Sequence, residues 1–259
     1  MKISILGAGA FGTALGGILA SKGYDIDYYD PKLQREVLSS NLESAKYIIL
    51  AMPSESLPFL LPHLPLYKPI IVATKGILSD KYLKPFRNYM VMSGPGFADD
   101  IKSGKQIILT ATDSVIDELF ETDSLKFDHT EDRLGVLMCG ALKNVYAIFA
   151  GYLHLERETS DWLNYIKTAT MEIKEILLAN GADPNTVNLA CGIPDLKLTC
   201  GYPSRNYEYG DILRANPGYL PEKTVEGLST IKRIRQNEIL LPDKLQLLPE
   251  ILKLVKNKE

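Results

Sequence analysis

The chain has 259 residues, of which 46% are hydrophobic, and it carries a formal net charge of −3 with an isoelectric point near 5.7. This length allows one large domain or two ordinary ones. The mild negative charge excludes a general electrostatic attraction for nucleic acid or for anionic membranes. An anionic ligand therefore needs a local cluster of basic side chains.

The cysteines and the N-terminus indicate a cytoplasmic protein. Cys139, Cys191 and Cys200 lie far apart and form no CxxC pair and no zinc-ligand spacing, which is typical of reduced thiols in the cytosol. No metal site is predicted. The N-terminal apolar run lacks a small-residue cleavage site, so a signal peptide is not predicted.

The first predicted strand, from Met1 to Leu6, leads into a glycine-rich turn and then a helix. Gly7, Gly9 and Gly12 form a GxGxxG pattern there. The first glycine permits the tight turn, the second lets the backbone approach a pyrophosphate, and the third lets helix and strand pack closely. The helix N-terminus also offers amide donors to phosphates. The pattern predicts a dinucleotide site.

Asp30 ends the second predicted strand, DIDYYD. It lies at the distance from the glycines where an acid binds the ribose 2′-hydroxyl. Because its negative charge would repel a 2′-phosphate, NAD(H) is favoured over NADP(H).

Four further strands are predicted in the runs AKYIILAMP, KPIIVATKG, NYMVMSGPG and KQIILTA. Continuous apolar runs that alternate with helices indicate a parallel sheet covered on both faces, which predicts a Rossmann-type α/β domain over residues 1–130. Ligands of such sheets bind beyond the carboxyl ends of the strands. Pro53, Lys75 and the turn at residues 93–96 follow strand ends, so we expect them near the cofactor, the last two at its nicotinamide end.

Helical patterns replace the strands after about Thr130 and predict an all-helical domain over residues 131–259, with a cleft between the two domains. The predicted helices are Glu131 to Leu155, Leu163 to Asn180, Asn185 to Leu189, Asp195 to Thr199, Leu228 to Gln236 and Leu241 to Val255.

Lys143 and Asn144 lie in the middle of an otherwise apolar stretch, residues 134–153. The stretch is long enough to span a membrane, but its central lysine and its glycines favour a helix buried in a protein core. A buried lysine needs a charged partner or a chemical role. Asp195 is a candidate partner that would hold the charge and tune its proton affinity.

A second polar stretch, Ser204-Arg205-Asn206, is a candidate anion site. The guanidinium fork of an arginine matches phosphate oxygens. An exposed turn is the alternative interpretation.

Seven motifs occur in order from residue 7 to residue 234: GAGAFGTAL, ATKGI, SGPGFADDI, CGALKNVYAIFAG, GIPDLKLTC, SRNYEYG and VEGLSTIKRI. Together they resemble the NAD(P)-dependent glycerol-3-phosphate dehydrogenase family. The resemblance implies an oxidoreductase, a homodimer, that reversibly reduces dihydroxyacetone phosphate to sn-glycerol 3-phosphate with NAD(P)H. This small phosphorylated product would supply phospholipid synthesis.

The resemblance also implies roles for individual residues. Lys143 would be the catalytic acid/base that protonates the ketone oxygen, and Lys75 would stabilise charge on the reacting oxygen or the substrate. Asp195 and Thr199 would orient Lys143 and the substrate. The residues that would line the substrate and its phosphate are Gly94, Gly96, Asn144, Ser204, Arg205 and Asn206. The further residues on the cofactor side would be Ala10, Phe11, Ala98, Arg205 and Glu226.

Three features depart from the family's pattern. The segment between Asp30 and the run AKYIILAMP is too short for the usual extra strand and helix, which implies a sheet trimmed near the adenosine half of the cofactor. Gly96 stands where the family usually has Ser or Thr, and Pro194 stands where Gly is usual. Two other functions stay open: a related reductase of another small ketone or keto acid, and a catalytically silent NAD-binding regulatory protein.

Overall fold

The computed structural model describes residues 1–30 and 42–255. The described residues group into two compact units, the first within Met1–Thr74 and Asp80–Arg133 and the second within Lys75–Ser79 and Leu134–Glu259. The predicted shortening after Asp30 falls largely on residues 31–41, which lie outside the described residues.

The first unit is built on a seven-stranded sheet in its described part, with the strand order β2-β1-β3-β4-β5-β6-β7. Neighbouring strands are parallel except for β5 and β6, which are antiparallel. The strands are β1 (Lys2–Leu6), β2 (Asp25–Tyr29), β3 (Tyr47–Leu50), β4 (Ile70–Val72), β5 (Tyr89–Ser93), β6 (Ile107–Ala111) and β7 (Leu125–His129).

The prediction of a mainly parallel sheet followed by a helical region is confirmed, and all six predicted strands are present. Two details were wrong. β7 was not predicted, because only Leu125 of its five residues is buried and the run therefore lacks a continuous apolar pattern. The antiparallel pairing of β5 with β6 was also missed, since the side-chain pattern of a buried strand does not encode its direction.

Short helices cover this sheet and bury its apolar side chains. Ile3, Ile5 and Ile49 of the sheet pack with Leu15 and Leu19 of the first helix in one core. Removing such side chains from water is the main stabilising contribution to a unit of this kind. The helices of the unit are α1 (Ala10–Ser21), α2 (Leu57–Leu60), α3 (Ala98–Lys102) and α4 (Val115–Phe120).

The second unit is helical. Its central helix, α5, is buried on nearly every residue. Among the described residues this is the one helix that has the length and composition to cross a membrane, and 89% of its apolar window is buried inside the structure, which is the burial of a core helix. The helices are α5 (Arg133–Tyr152), α6 (Ser160–Ala179), α7 (Ile193–Thr199), α8 (Arg205–Ala215), α9 (Glu226–Arg235) and α10 (Leu247–Leu254).

Glycines let two helices approach the backbone of α5. A Cβ at Gly210 of α8 would lie 1.8 Å from the carbonyl oxygen of Ile148, and one at Gly227 of α9 would lie 2.6 Å from that of Asn144. Helix α8 was not predicted, because its polar sequence contains an interior glycine, which disfavours a helix in isolation. The close contact with α5 explains why a glycine is needed there.

The start of α10 is fixed by a buried carboxylate rather than by its own sequence. Glu172 of α6 accepts hydrogen bonds from the backbone N–H groups of Gln246, Leu247 and Leu248 at 2.5, 2.6 and 3.0 Å. A negative group at a helix N-terminus is favourable. The helix predicted over Leu241 to Val255 is present but begins later, at Leu247, and Pro242 disfavours helical geometry in the residue before it.

Candidate active site

The glycine-rich turn of the first unit has the geometry that the sequence predicts. Gly7 has a φ of +110°, and a Cβ there would lie 2.5 Å from the carbonyl oxygen of Ala51. A Cβ at Gly12 would lie 2.0 Å from the carbonyl oxygen of Gly7, whereas one at Gly9 would meet no described atom within 4 Å. A side chain at Gly7 or Gly12 would therefore strain the turn, while Gly9 leaves open space in front of the N-terminus of α1.

Asp30 is tied to this turn. Its Oδ2 accepts a hydrogen bond of 2.8 Å from the backbone N–H of Ala8. The half-buried carboxylate therefore stands directly behind the turn where a nucleotide ribose would bind. Three features of this turn fit a dinucleotide. Gly9 has no Cβ at the tip of the turn, the N-terminus of α1 has no side-chain cap, and Asp30 follows the second strand.

The remaining predicted residues of the first unit also lie at strand ends. Pro53 is exposed and follows β3, while Gly94 and Gly96 follow β5 and Ala98 begins α3. Because β1, β3 and β5 belong to the parallel part of the sheet, their carboxyl ends share one edge. A Cβ at Gly96 would lie 3.5 Å from the nearest atom of Ile107, so this position has room for a small side chain.

The second unit holds a buried cluster of two lysines and one aspartate. Lys143 Nζ pairs with Asp195 Oδ1, and Lys75 Nζ lies 3.4 Å from Asp195 Oδ2. The side chains of Lys143 and Asp195 are 4% and 1% exposed, and that of Lys75 is 25% exposed. The predicted pairing of Lys143 with Asp195 is therefore present, and Lys75 joins it.

This arrangement shifts the proton affinity of Lys143. Burial lowers the pKa of Lys143 from 10.5 to about 7. The Lys75 ammonium acts in the same direction, while the attraction of Asp195 opposes the shift. Burial raises the pKa of the neighbouring Cys200 thiol well above its usual value, so the thiol stays neutral. With Lys143 protonated, two ammonium groups face one carboxylate, which leaves an excess positive charge suited to an anionic ligand.

Helix α7 presents Asp195 to both lysines. Pro194 lies in the first turn of this helix, where the missing N–H of a proline is not needed, so the departure from the family pattern at this position is compatible with the ion pairs. Thr199 is buried, and its hydroxyl donates a hydrogen bond of 2.6 Å to the backbone carbonyl of Asp195. It therefore contacts the Asp195 backbone rather than the carboxylate.

Asn144 and Asn206 form a chain of hydrogen bonds between three helices. The Gly227 N–H donates to Asn206 Oδ1 at 2.9 Å, Asn206 Nδ2 donates to Asn144 Oδ1 at 2.9 Å, and Asn144 Nδ2 donates to the Gly140 carbonyl at 3.1 Å. The chain fixes the orientation of both amides. Since each amide nitrogen carries two donors, each keeps one N–H that no described residue accepts.

Ser204, Arg205 and Glu226 lie at helix N-termini. Ser204 is buried and precedes α8, whose first residue is the exposed Arg205. Arg205 Nη1 donates to the carbonyl of Thr224 at 3.4 Å, and Glu226 begins α9. The alternative interpretation of Arg205 and Asn206 as an exposed turn holds only for the exposure of Arg205, because both residues belong to a helix and Asn206 is buried.

One residue near the cluster had no predicted role. Arg233 of α9 donates a hydrogen bond of 2.6 Å from Nη1 to the carbonyl of Gly76, directly after Lys75. Arg233 lies on the polar side of an amphipathic helix, where exposed arginines are common. No sequence pattern therefore indicated its hydrogen bond to Gly76.

Comparison with known proteins agrees with this geometry. A family model described as NAD-dependent glycerol-3-phosphate dehydrogenase C-terminus matches residues 132–259. An NAD(P)+ glycerol-3-phosphate dehydrogenase of Ruegeria sp. (strain TM1040) is 30% identical over 276 residues, covering 90% of this chain and 86% of the relative. One of Leptospira biflexa is 32% identical over 262 residues, covering 81% and 78%.

The fold is also that of a solved dehydrogenase. The crystal structure of glycerol-3-phosphate dehydrogenase from Coxiella burnetii matches with a TM-score of 0.81 at 22% identity, covering 98% of this chain and 94% of that one. The sequence relatives extend over most of both chains. This chain therefore belongs to the family of NAD(P)-dependent glycerol-3-phosphate dehydrogenases.

Proposed function

We propose that this protein reversibly reduces dihydroxyacetone phosphate to sn-glycerol 3-phosphate with NAD(P)H, for glycerophospholipid synthesis. The observation that carries the proposal is the buried Lys143, which pairs with Asp195 and has a pKa lowered to about 7. A group with such a pKa can give up and regain a proton near neutral pH, as a general acid/base must.

The roles of the cluster follow from its charges. When bound, the nicotinamide cofactor supplies the hydride. Lys143 donates its proton to the ketone oxygen, and Asp195 holds the ammonium that makes this donation possible. The Lys75 ammonium stabilises negative charge on the reacting oxygen, an effect that is large where water is excluded. Thr199 fixes the backbone of α7 from which Asp195 projects.

The phosphate and hydroxyl groups of the substrate need donors. The remaining N–H groups of Asn144 and Asn206 supply two of them, already oriented by their hydrogen-bond chain. Ser204 and Arg205 stand at the N-terminus of α8, where backbone N–H groups and the helix dipole favour an anion. We assign Gly94 and Gly96 to backbone contact with the substrate, because neither has a side chain that would obstruct it.

For the cofactor, we propose NAD(H) rather than NADP(H). Gly7, Gly9, Gly12, Ala10 and Phe11 would hold the pyrophosphate at the start of α1. The Asp30 carboxylate would accept a ribose hydroxyl and repel a 2′-phosphate. The further residues assigned to the cofactor are Pro53, Lys75, Ala98, Arg205 and Glu226.

We further propose a cytoplasmic homodimer, in which residues 1–130 form the dinucleotide-binding domain and residues 131–259 form the helical domain that carries Lys143 and most of the substrate residues. Leu163, Met171 and Leu178 are exposed on α6, and their spacing places them on one face of the helix. Burying such a face in a second subunit is favourable. Light scattering on the wild type and on Met171→Glu tests the dimer, since a monomeric wild type would contradict it.

A substrate and cofactor panel tests the activity. Purified protein is supplied with NADH or NADPH and with dihydroxyacetone phosphate, dihydroxyacetone or a series of keto acids, and loss of the reduced cofactor is followed by absorbance. We expect rapid oxidation of NADH with the phosphorylated ketone alone. Reduction only of a non-phosphorylated ketone or keto acid would indicate a related reductase, and tight NADH binding without turnover would indicate a silent regulatory protein.

A further inference from the structure

The segment that carries Lys75 belongs to the second unit. Residues 75–79 group with it, and Ile77 and Leu78 in this segment are buried. Gly76 has a φ of +92°, in the left-handed region that favours glycine. Because Lys75 directly precedes Gly76, the Gly76 backbone determines where the Lys75 side chain begins.

Arg233 holds this backbone. Its Nη1 donates a hydrogen bond of 2.6 Å to the Gly76 carbonyl. A guanidinium presents its donors in a rigid, planar fork, so the contact fixes the position of the carbonyl. We propose that Arg233 is a positioning residue, which keeps the Lys75 ammonium within reach of Asp195 by holding the Gly76 carbonyl.

The distances around Asp195 explain why this position matters. Lys75 Nζ lies 3.4 Å from Asp195 Oδ2, which is longer than an ordinary charge-assisted hydrogen bond. Lys75 is attached directly before Gly76, so the position of the Gly76 backbone sets how closely the ammonium can approach Asp195. Misplacing a catalytic group by about 1 Å can slow a reaction by about 100-fold.

The proposal, which rests on the proposed function, also predicts the direction of a pH shift. The titratable groups that face the Lys143 amine are Asp195, Lys75 and the neutral thiol of Cys200. The Lys75 ammonium lowers the pKa of Lys143. Releasing Lys75 therefore raises the pKa of Lys143, and the fall in the rate of ketone reduction on the alkaline side moves to higher pH.

Labelling of Lys75 tests the positioning without any turnover. Arg233→Gln removes the cation and Arg233→Lys keeps one. Arg235→Gln is the matched control, because Arg235 lies on the same helix and donates to the carbonyls of Leu252, at 2.7 Å, and Val255. Reductive methylation followed by peptide mass spectrometry measures the reactivity of Lys75 in each protein.

We expect Lys75 to react severalfold faster in Arg233→Gln than in the wild type, with Arg233→Lys between them and Arg235→Gln unchanged. Equal reactivity in the wild type and Arg233→Gln would overturn the proposal. Because this readout needs no substrate, it decides the role of Arg233 even if the wild type fails to reduce dihydroxyacetone phosphate, a result that would overturn the proposed function alone.

Kinetics with a second substitution test whether Arg233 acts through Lys75. We expect Arg233→Gln to lower kcat by about 10- to 100-fold and to shift the alkaline limb upward, with partial recovery in Arg233→Lys. In a Lys75→Met background the same substitution has no further effect on kcat, because the group that it positions is already absent. Equal losses in both backgrounds would contradict the proposal, since independent effects add.

Discussion

Replacing Lys143 with methionine tests the mechanism most directly. The methionine side chain is of similar length, so it fills much of the same buried space without the ammonium that pairs with Asp195. Loss of a general acid lowers turnover by about 10²- to 10⁴-fold, which corresponds to about 3–5 kcal/mol in the activation free energy. We expect kcat for dihydroxyacetone phosphate reduction to fall within this range.

The variant should remain folded. Removing one member of a buried ion pair typically costs about 3–5 kcal/mol, but the Lys75 ammonium stays 3.4 Å from Asp195 Oδ2 and continues to balance the carboxylate. The expected loss is therefore below that range, and domains are typically stable by about 5–15 kcal/mol. NADH affinity should be nearly unchanged, since Lys143 is assigned to the reacting oxygen and is not among the residues assigned to the cofactor.

The pH dependence of stability gives a second readout. Lys143 has a folded-state pKa of about 7 and an ordinary pKa of 10.5. Between these values the unfolded chain binds a proton that the folded chain has released, so the free energy of unfolding rises with pH across this window. In denaturant unfolding from pH 7 to pH 10, the free energy of unfolding of the wild type should therefore rise relative to that of Lys143→Met, because the other titrating groups, such as Cys200, are common to both proteins.

Steady-state assays, NADH fluorescence titration and these unfolding curves are compared for Lys143→Met, the wild type and Lys167→Met. Lys167 is exposed on α6, so its substitution controls for the loss of a lysine. Turnover in Lys143→Met within a few-fold of the wild type would remove Lys143 from the chemistry. If the pH profile of the rate in this variant still falls on the alkaline side, a group other than Lys143 causes that fall.

Four further substitutions separate binding from folding. Gly9→Ala should weaken NADH binding without changing thermal stability, because a Cβ at Gly9 meets no described atom within 4 Å. Gly12→Ala should lower the melting temperature, because a Cβ there lies 2.0 Å from the carbonyl oxygen of Gly7. If the two variants behaved alike in both assays, the assignment of Gly9 to the nucleotide would be contradicted. Asp30→Asn should raise kcat/KM for NADPH relative to NADH, and an unchanged ratio would mean that Asp30 does not select the cofactor. Arg205→Ala should raise the KM for the phosphorylated ketone by about 10-fold or more with unchanged stability, since Arg205 is exposed; an unaltered KM would exclude it as a phosphate ligand.

The elements that were predicted correctly are those that a short stretch of sequence specifies by itself. The GxGxxG turn and the apolar strands are specified within a few residues, so β1 to β6 and α1 were predicted. Lys143 was identified because an ammonium in an apolar helix needs a partner, and Asp195 was found as that partner only through its polar setting in a distant motif.

What the sequence did not reveal depends on contacts between distant segments. Helix α8 forms because Gly210 permits contact with α5, and α10 begins where Glu172 accepts three backbone N–H groups. The link from Asn206 to Asn144 joins residues 62 positions apart, and that from Arg233 to Gly76 joins residues 157 apart. A pattern with a period of two or 3.6 residues carries no information about such pairs.

The excess positive charge of the Lys143, Lys75 and Asp195 cluster leads to a last prediction. An anionic substrate offsets this charge and raises the pKa of Lys143, so that Lys143 is protonated when the ketone is bound. The alkaline limb of kcat, which reports the substrate complex, should therefore lie at higher pH than that of kcat/KM, which reports the free enzyme. Coincident limbs with dihydroxyacetone phosphate would contradict this reasoning, because the substrate charge would then have no influence on the amine that protonates it.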